Sequence, residues 1–185
     1  ARLVKLEAMM LDDVEALVCQ RLGVKSVPPM IGRLIREKSE GHPFFAEELA
    51  YALRESGILI IEDQVCKIHS RFMNFEDLTL PDTLQAAITN RIDGLNPSQQ
   101  LTLKVASVIG RIFSFRVLEA VHPIEADRQA LPNYMETLTR LSLTLIESEA
   151  PDLAYIFKHA VTQEVAYNLM LYSQRRQLHQ AVAEW

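Results

Sequence analysis

Two segments of this sequence hold residue types whose spacing could do chemistry. Phe157-Lys158-His159-Ala160-Val161-Thr162-Gln163-Glu164-Val165-Ala166-Tyr167 follows an apolar alternation and leads into helical spacing. A helix beginning near Ala160 would set His159 where unpaired N–H groups and the positive dipole end collect an anion. An imidazole with Lys158 beside it would suit a phosphate there, and the same histidine would equally serve as a cap or a buried structural group. The other segment is Gly41-His42-Pro43-Phe44-Phe45-Ala46-Glu47-Glu48-Leu49. Physically it is a helix end, a rigid corner and a new helix start, with two phenylalanines directed into a core. A tight helix–helix joint accounts for it fully on those grounds.

Other site chemistries are excluded by spacing. The six glycines, at 23, 32, 41, 57, 94 and 110, nowhere give G-x-x-x-x-G-K-[ST], so no phosphate-cradling loop is present. Neither a G-x-S-x-G elbow nor a paired-histidine metal helix occurs. Cys66 and His69 lie three apart, but two ligands do not make a zinc site. The chain therefore offers no catalytic residues and no metal site of its own.

The elements that must position these residues read as mainly α-helical. A helix is expected from about Asp12 to Leu22 with Gly23 as its stop, a second from Pro28-Pro29 to near Gly41, and a third from Pro43 to Gly57. Residues 1–7 read as a short strand or its tail. Ile58–Ile61 and Val65–Ile68, around Glu62-Asp63-Gln64, read as a hairpin, and 69–79 as an irregular connector. Pro81 and Asp82 fit the first turn of a helix carrying Leu84, Ile88, Ile92 and Leu95. Gly94 to Pro97 breaks it, and Leu101, Val105, Val108 and Ile109 form the next stripe, closed by Gly110. A short apolar segment, Phe113–Val121, precedes a break at His122-Pro123. A helix over about Glu125–Leu141 follows, and because Pro132 falls inside it the start is expected at or after that residue. Leu143–Ser148 and Leu153–Phe157 read as a second hairpin, and helices at about 160–171 and 174–185 close the chain. Helix, short helix, helix and hairpin over 97–157 is the order of a winged helix. Leu178, Val182 and Trp185 begin an apolar stripe that stops mid-pattern, as in a piece of a longer protein.

The 185 residues are 49% hydrophobic and 23% charged, with a formal net charge of −5. A chain this long buries roughly 70% of its unfolded surface, so a core forms without staples. Two cysteines, Cys19 and Cys66, make no disulfide framework and fit a reducing cytoplasm. No apolar run approaches the ~20 residues that span a bilayer, so no membrane partner is expected. The winged-helix order raises DNA binding, which charge argues against. Glu125–Ser142 holds Glu125, Asp127 and Glu136 against Arg128 and Arg140, whereas groove readers need basic residues at phosphates and base edges.

Taken together, these segments resemble a known family. Gly41-His42-Pro43-Phe44-Phe45 with Glu47-Glu48-Leu49 resembles the G-[NH]-P-F-[FL]-x-[EQ]-E-[LI] signature of STAND-type signalling ATPases, which are related to AAA+ proteins. Leu80-Pro81, Thr83-Leu84, Arg91-Ile92-Asp93, Leu95 and Ala106-Ser107-Val108-Ile109-Gly110 with Phe113 are similar to their next block. Phe157, His159-Ala160 and Gln163 to Tyr167 resemble the block after that. The nearest pattern is that of bacterial multidomain proteins in which this ATPase follows class III adenylate/guanylate cyclase domains or precedes a LuxR-type regulator.

The resemblance implies a tail of the NTPase core at 1–7, a helical lid subdomain at 8–78, a winged-helix domain at 79–160, and the start of helical repeats at 161–185. It implies that Gly41, His42 and Pro43 lie on the base and sugar side of a bound ATP or ADP. It also implies that His159 holds the ADP β-phosphate, as the histidine of a Met-His-Asp motif does in the related apoptosome and plant-receptor ATPases. Ala160 stands here where that motif has its aspartate. The P-loop, Walker B acid and magnesium ligands of the family have no positions in this chain, so the fragment alone would hold no cofactor. The implied partners are its own NTPase core, C-terminal helical repeats and an attached cyclase or other effector. The alternatives are a winged-helix DNA-binding fragment of a transcriptional regulator and a nucleotide-independent interaction scaffold.

Overall fold

Glycine and proline punctuate the N-terminal helices. In the computed structural model, which describes residues 7–72 and 80–185, α1 spans Leu11–Leu22 and ends at Gly23 in a left-handed C-cap. Asp12 and Asp13 sit at its positive end. Helices α2 (Pro29–Ser39) and α3 (Pro43–Glu55) each begin with proline, where a missing N–H leaves no bond unmade. Their apolar faces meet in one cluster in which Val14, Val18, Ile31, Ile35, Leu49 and Leu53 are fully buried. Strands β1 (Leu59–Glu62) and β2 (Val65–Ile68) pair antiparallel, Leu59 opposite Ile68 and Glu62 opposite Val65. Asp63 and Gln64, both at positive φ, make their two-residue turn. A single 3-10 turn follows at Ser70–Phe72. The strand expected at 1–7 (Glu7 apart) and the last part of the connector, 73–79, lie outside the described residues.

Helix α4 runs Leu84–Asp93, three residues later than the Pro81 start the sequence predicts. Thr83 is the reason. Its hydroxyl accepts the Ala86 N–H at 3.1 Å and its carbonyl the Ala87 N–H at 3.0 Å, so threonine rather than proline opens the helix. Asp82 instead pairs with Lys38. Leu80, Leu84 and Ala87 pack on the first apolar cluster. The chain divides into two compact units between Asn90 and Arg91, inside the last turn of α4.

In the second unit Asn96 opens α5 (Pro97–Ile109) with a capping box. Its side-chain oxygen accepts the Gln99 N–H at 2.9 Å, and Gln99 Oε1 accepts the Asn96 N–H at 3.2 Å. Then come β3 (Ile112–Ser114), α6 (Phe115–Val121), α7 (Glu125–Arg128), α8 (Leu131–Arg140), β4 (Thr144–Ser148), β5 (Ala154–Phe157), α9 (Ala160–Asn168) and α10 (Tyr172–Glu184). The helix expected over 125–141 is thus two pieces, because Pro132 is compatible only with the first turn of α8. The sheet order is β3-β5-β4, all antiparallel. Strand β3, three residues long, is absent from the sequence reading, which takes this stretch only as a short apolar segment. It pairs Ile112 with Ile156 and Ser114 with Ala154. On the inner face the Phe113 ring lies 5.5 Å from Phe157 and 5.9 Å from Tyr155. Leu103, Leu118, Leu131 and Met135 are among the other fully buried side chains. Gln163 of α9 donates to the Ser107 carbonyl of α5 at 3.0 Å. The described residues are therefore mainly α-helical with two small antiparallel sheets. No described helix is long and apolar enough to cross a membrane.

Candidate functional site

The corner at residues 39–45 is built by the backbone. Glu40 takes a left-handed conformation at the end of α2, and Gly41 follows at φ 73°. The Gly41 N–H is shared between the Arg36 carbonyl and Ser39 Oγ, both at 3.3 Å, and its carbonyl accepts the Met9 N–H at 3.0 Å. A side chain here would have no room, since a Cβ would lie 2.6 Å from the Met9 carbonyl oxygen. Gly41 is buried with its hydrogen-bonding groups committed, so what it contributes is the sharpness of the corner. His42 and Pro43 are exposed and available. The His42 ring nitrogen accepts the Phe45 N–H at 3.4 Å, holding the imidazole at the start of α3. A groove of about 270 Å³ opens beside them between Lys38, Glu40, His42, Phe45 and Asp82.

Behind the corner, Phe45 is buried and Phe44 half-buried. Glu47 is 3% exposed, which would be costly for a lone carboxylate. Arg21 Nε stands 3.1 Å from its Oε2, and the Tyr51 hydroxyl donates to Oε1 at 3.3 Å. The acidic half of the segment thus ties α3 to the end of α1, as a structural joint requires.

In the second unit His159 is the N-cap residue of α9, at φ −128°, directly after β5. The residue is half-buried, and its Nε2 is fully buried. Phe157 N–H donates to the Arg111 carbonyl at 2.9 Å and Lys158 N–H to the Leu143 carbonyl at 3.2 Å, so the sheet fixes the approach to the helix start. Gly41, His42 and Pro43 are brought together in one unit, and His159 belongs to the other.

Two features of the second unit escape sequence reasoning. His122, read as a break, is fully buried. Its ring contacts Thr102 Oγ1 at 3.4 Å and the Ile124 carbonyl at 3.2 Å, and burial holds its pKa below the ordinary histidine value. Arg128 donates to the His122 carbonyl at 3.0 Å, latching α7 over it. A groove of about 650 Å³ also opens among α5, the end of α6 and α10, with Leu101, Lys104, Gln174 and Trp185 in its walls. Its residues come from segments far apart in sequence, and no local motif announces it.

Comparison with known proteins adds two matches. A family model described as a domain of unknown function (DUF8739) matches residues 12–67, from α1 through most of β2. Adenylate cyclase type 10 from rabbit (Oryctolagus cuniculus) is 22% identical over 186 residues. The match takes in 80% of this chain and 11% of the cyclase, so the chain spans about a tenth of that relative's length. No solved structure matches.

Proposed function

We propose that this chain is the helical lid and winged-helix region of a STAND-type signalling ATPase. In this reading it closes over bound ADP or ATP and controls an attached effector, a class III adenylate/guanylate cyclase. The lid corresponds to residues 8–78, the winged helix to 79–160, and the following helices to the start of a repeat region. The observation that carries the reading is the placement of both motif segments at helix starts suited to meeting a ligand. His42 and Pro43 are exposed at the corner that opens α3, and His159 stands at the N-cap position of α9 immediately after the three-stranded sheet. Two further observations support it. The order α5-β3-α6-α7-α8-β4-β5 with sheet order β3-β5-β4 is compatible with a winged helix in which α7 is an extra turn, and the partial likeness to an adenylate cyclase agrees with a cyclase effector.

The residues fit a nucleotide in a limited way. His42 and Pro43 would border its base and sugar, His159 and Lys158 its phosphates, and Gly41 would act only by setting the corner. The catalytic chemistry and the magnesium ligands would come from the rest of the parent ATPase. A lid that contacts nucleotide only when closed is a two-state element, and ADP would bias it closed by its differential contacts. The protein would work in the cytoplasm, with its own NTPase core and helical repeats as partners. Helix α8 carries one acidic and one basic residue, Glu136 and Arg140, which gives DNA phosphates little to meet.

The test uses the complete native polypeptide that contains this chain. It is purified and denatured, and released nucleotide is identified by chromatography, beside a His159→Ala variant. ADP retained by the wild type and lost from the variant is the expected result. Equal retention by both would reduce His159 to a structural residue. Folded, active protein that releases no nucleotide would overturn the reading.

A further inference from the structure

We propose that the groove among α5, the end of α6 and α10 is a ligand site for an amphipathic monoanion, a carboxylate on an unbranched apolar tail. Every residue in its walls belongs to the second unit, so the site is complete there and does not depend on a nucleotide. Its volume of about 650 Å³ suits a small organic ligand. Helix α10 gives it its shape. The residues that line the groove recur along this helix from Gln174 through Leu178 and Ala181 to Glu184 and the capping Trp185, one face at helical spacing. With a rise of about 1.5 Å per residue, that face is about 16 Å long, so the groove is longer than it is wide.

The apolar part of the lining is mostly aliphatic. Val121, Met170 and Leu178 are buried, Leu101 and Ala181 are half-buried, and Trp185 is 67% exposed. Such a lining suits a flexible alkyl chain, whereas a flat ring would have one indole to stack on. Charge complementarity selects the head group. The charged residues in the walls are Lys104, Arg128 and Glu184, two positive against one negative, in a chain whose net charge is −5. Glu184 already accepts the Gln180 amide at 2.7 Å. Arg128 donates through Nε and Nη2 to the His122 and Ala120 carbonyls, which fixes the guanidinium and leaves Nη1 for a ligand. The half-buried Lys104 has no carboxylate partner among the described residues. One carboxylate balances the remaining positive charge and can accept from both cations, whereas a phosphate dianion would exceed it.

The experiment titrates the full chain with sodium dodecanoate, kept below the concentration at which it forms micelles. Binding is read by calorimetry and by the fluorescence of Trp185, the single tryptophan of the chain. Saturation at one dodecanoate per chain is expected, with the Trp185 emission moving to shorter wavelength as the tail covers the indole. Dodecanol and dodecylamine carry the same tail without the anion and should bind about tenfold more weakly or worse, as should dodecanoate to Lys104→Gln. Ala181→Phe puts a ring into the groove and should abolish the Trp185 response, with circular dichroism establishing that each variant is folded. Folded wild type without saturable binding, equal affinity for dodecanol, or undiminished binding to folded Lys104→Gln or Ala181→Phe would overturn the proposal. If Ala181→Phe does not fold, the head-group series and Lys104→Gln decide by themselves.

Discussion

Gly41→Ala should destabilise the first unit by about 2–3 kcal/mol, well beyond the same change at Gly23. Both glycines have positive φ, 73° at Gly41 and 69° at Gly23, so both substitutions carry the left-handed penalty of about 1–2 kcal/mol. Both also gain roughly 0.4–1 kcal/mol because alanine restricts the unfolded chain. The difference lies in what the new methyl meets. At Gly23 nothing stands within 4 Å, so about 0.5–1 kcal/mol remains. At Gly41 the Cβ would lie 2.6 Å from the Met9 carbonyl oxygen and 2.9 Å from the Met9 nitrogen. Those are backbone atoms and cannot swing aside. Relief requires the segment at Met9 to move, which sacrifices the Met9 N–H···Gly41 carbonyl bond, about 1 kcal/mol, and some packing. At about 4–8 °C per kcal/mol for a unit of this size, Gly41→Ala should lower the melting temperature by roughly 10–20 °C and Gly23→Ala by roughly 3–6 °C. Thermal unfolding followed by circular dichroism, with hydrogen exchange over α1–α3, measures both. If Gly41→Ala melts at or above Gly23→Ala, the contact with Met9 does not set the corner, and the reasoning from Gly41 to the placement of His42 and Pro43 fails.

The remaining predictions concern the second unit. His122 is held neutral by burial, so the unfolded chain binds the extra proton first. The stability this residue supports is complete above about pH 6.5 and is lost as pH falls from there toward the lower folded value. Urea unfolding between pH 7.5 and 5 should show that slope, His122→Gln should flatten it, and an NMR titration of the imidazole midpoint at or above the ordinary value would contradict the assignment. Asn96→Ala removes one arm of the capping box on α5 and should cost about 1 kcal/mol, while Asn96→Asp, which keeps the acceptor, should cost little. Chemical denaturation of the three proteins reads that difference directly.

Local chemistry made much of this protein legible in its sequence. Proline at the start of α2, α3 and α5, and glycine past the end of α1 and α5, place these helices within a residue or two, because caps and φ restrictions act over only one turn. The alternation of Tyr155 and Phe157 fixes the buried face of β5, since a strand's side chains must take opposite sides. The corner at Gly41 and the position of His159 at a helix start follow from the same short-range rules. Where the sequence misleads, a competing local group wins, as Thr83 does over Pro81 at the start of α4. Tertiary structure decided the rest. Strand β3 is too short to signal itself and exists because β5 offers an edge to Ile112–Ser114. His122 reads as a loop residue until Thr102, twenty positions earlier, covers its ring. The pairing of Lys25 and Ser26 with Gln64 and Val65 beside β2 carries no local pattern either, and it is the packed first cluster that brings these segments together. Contacts between residues distant in the chain depend on how whole elements pack, and that information is spread over every buried side chain rather than written in any one segment.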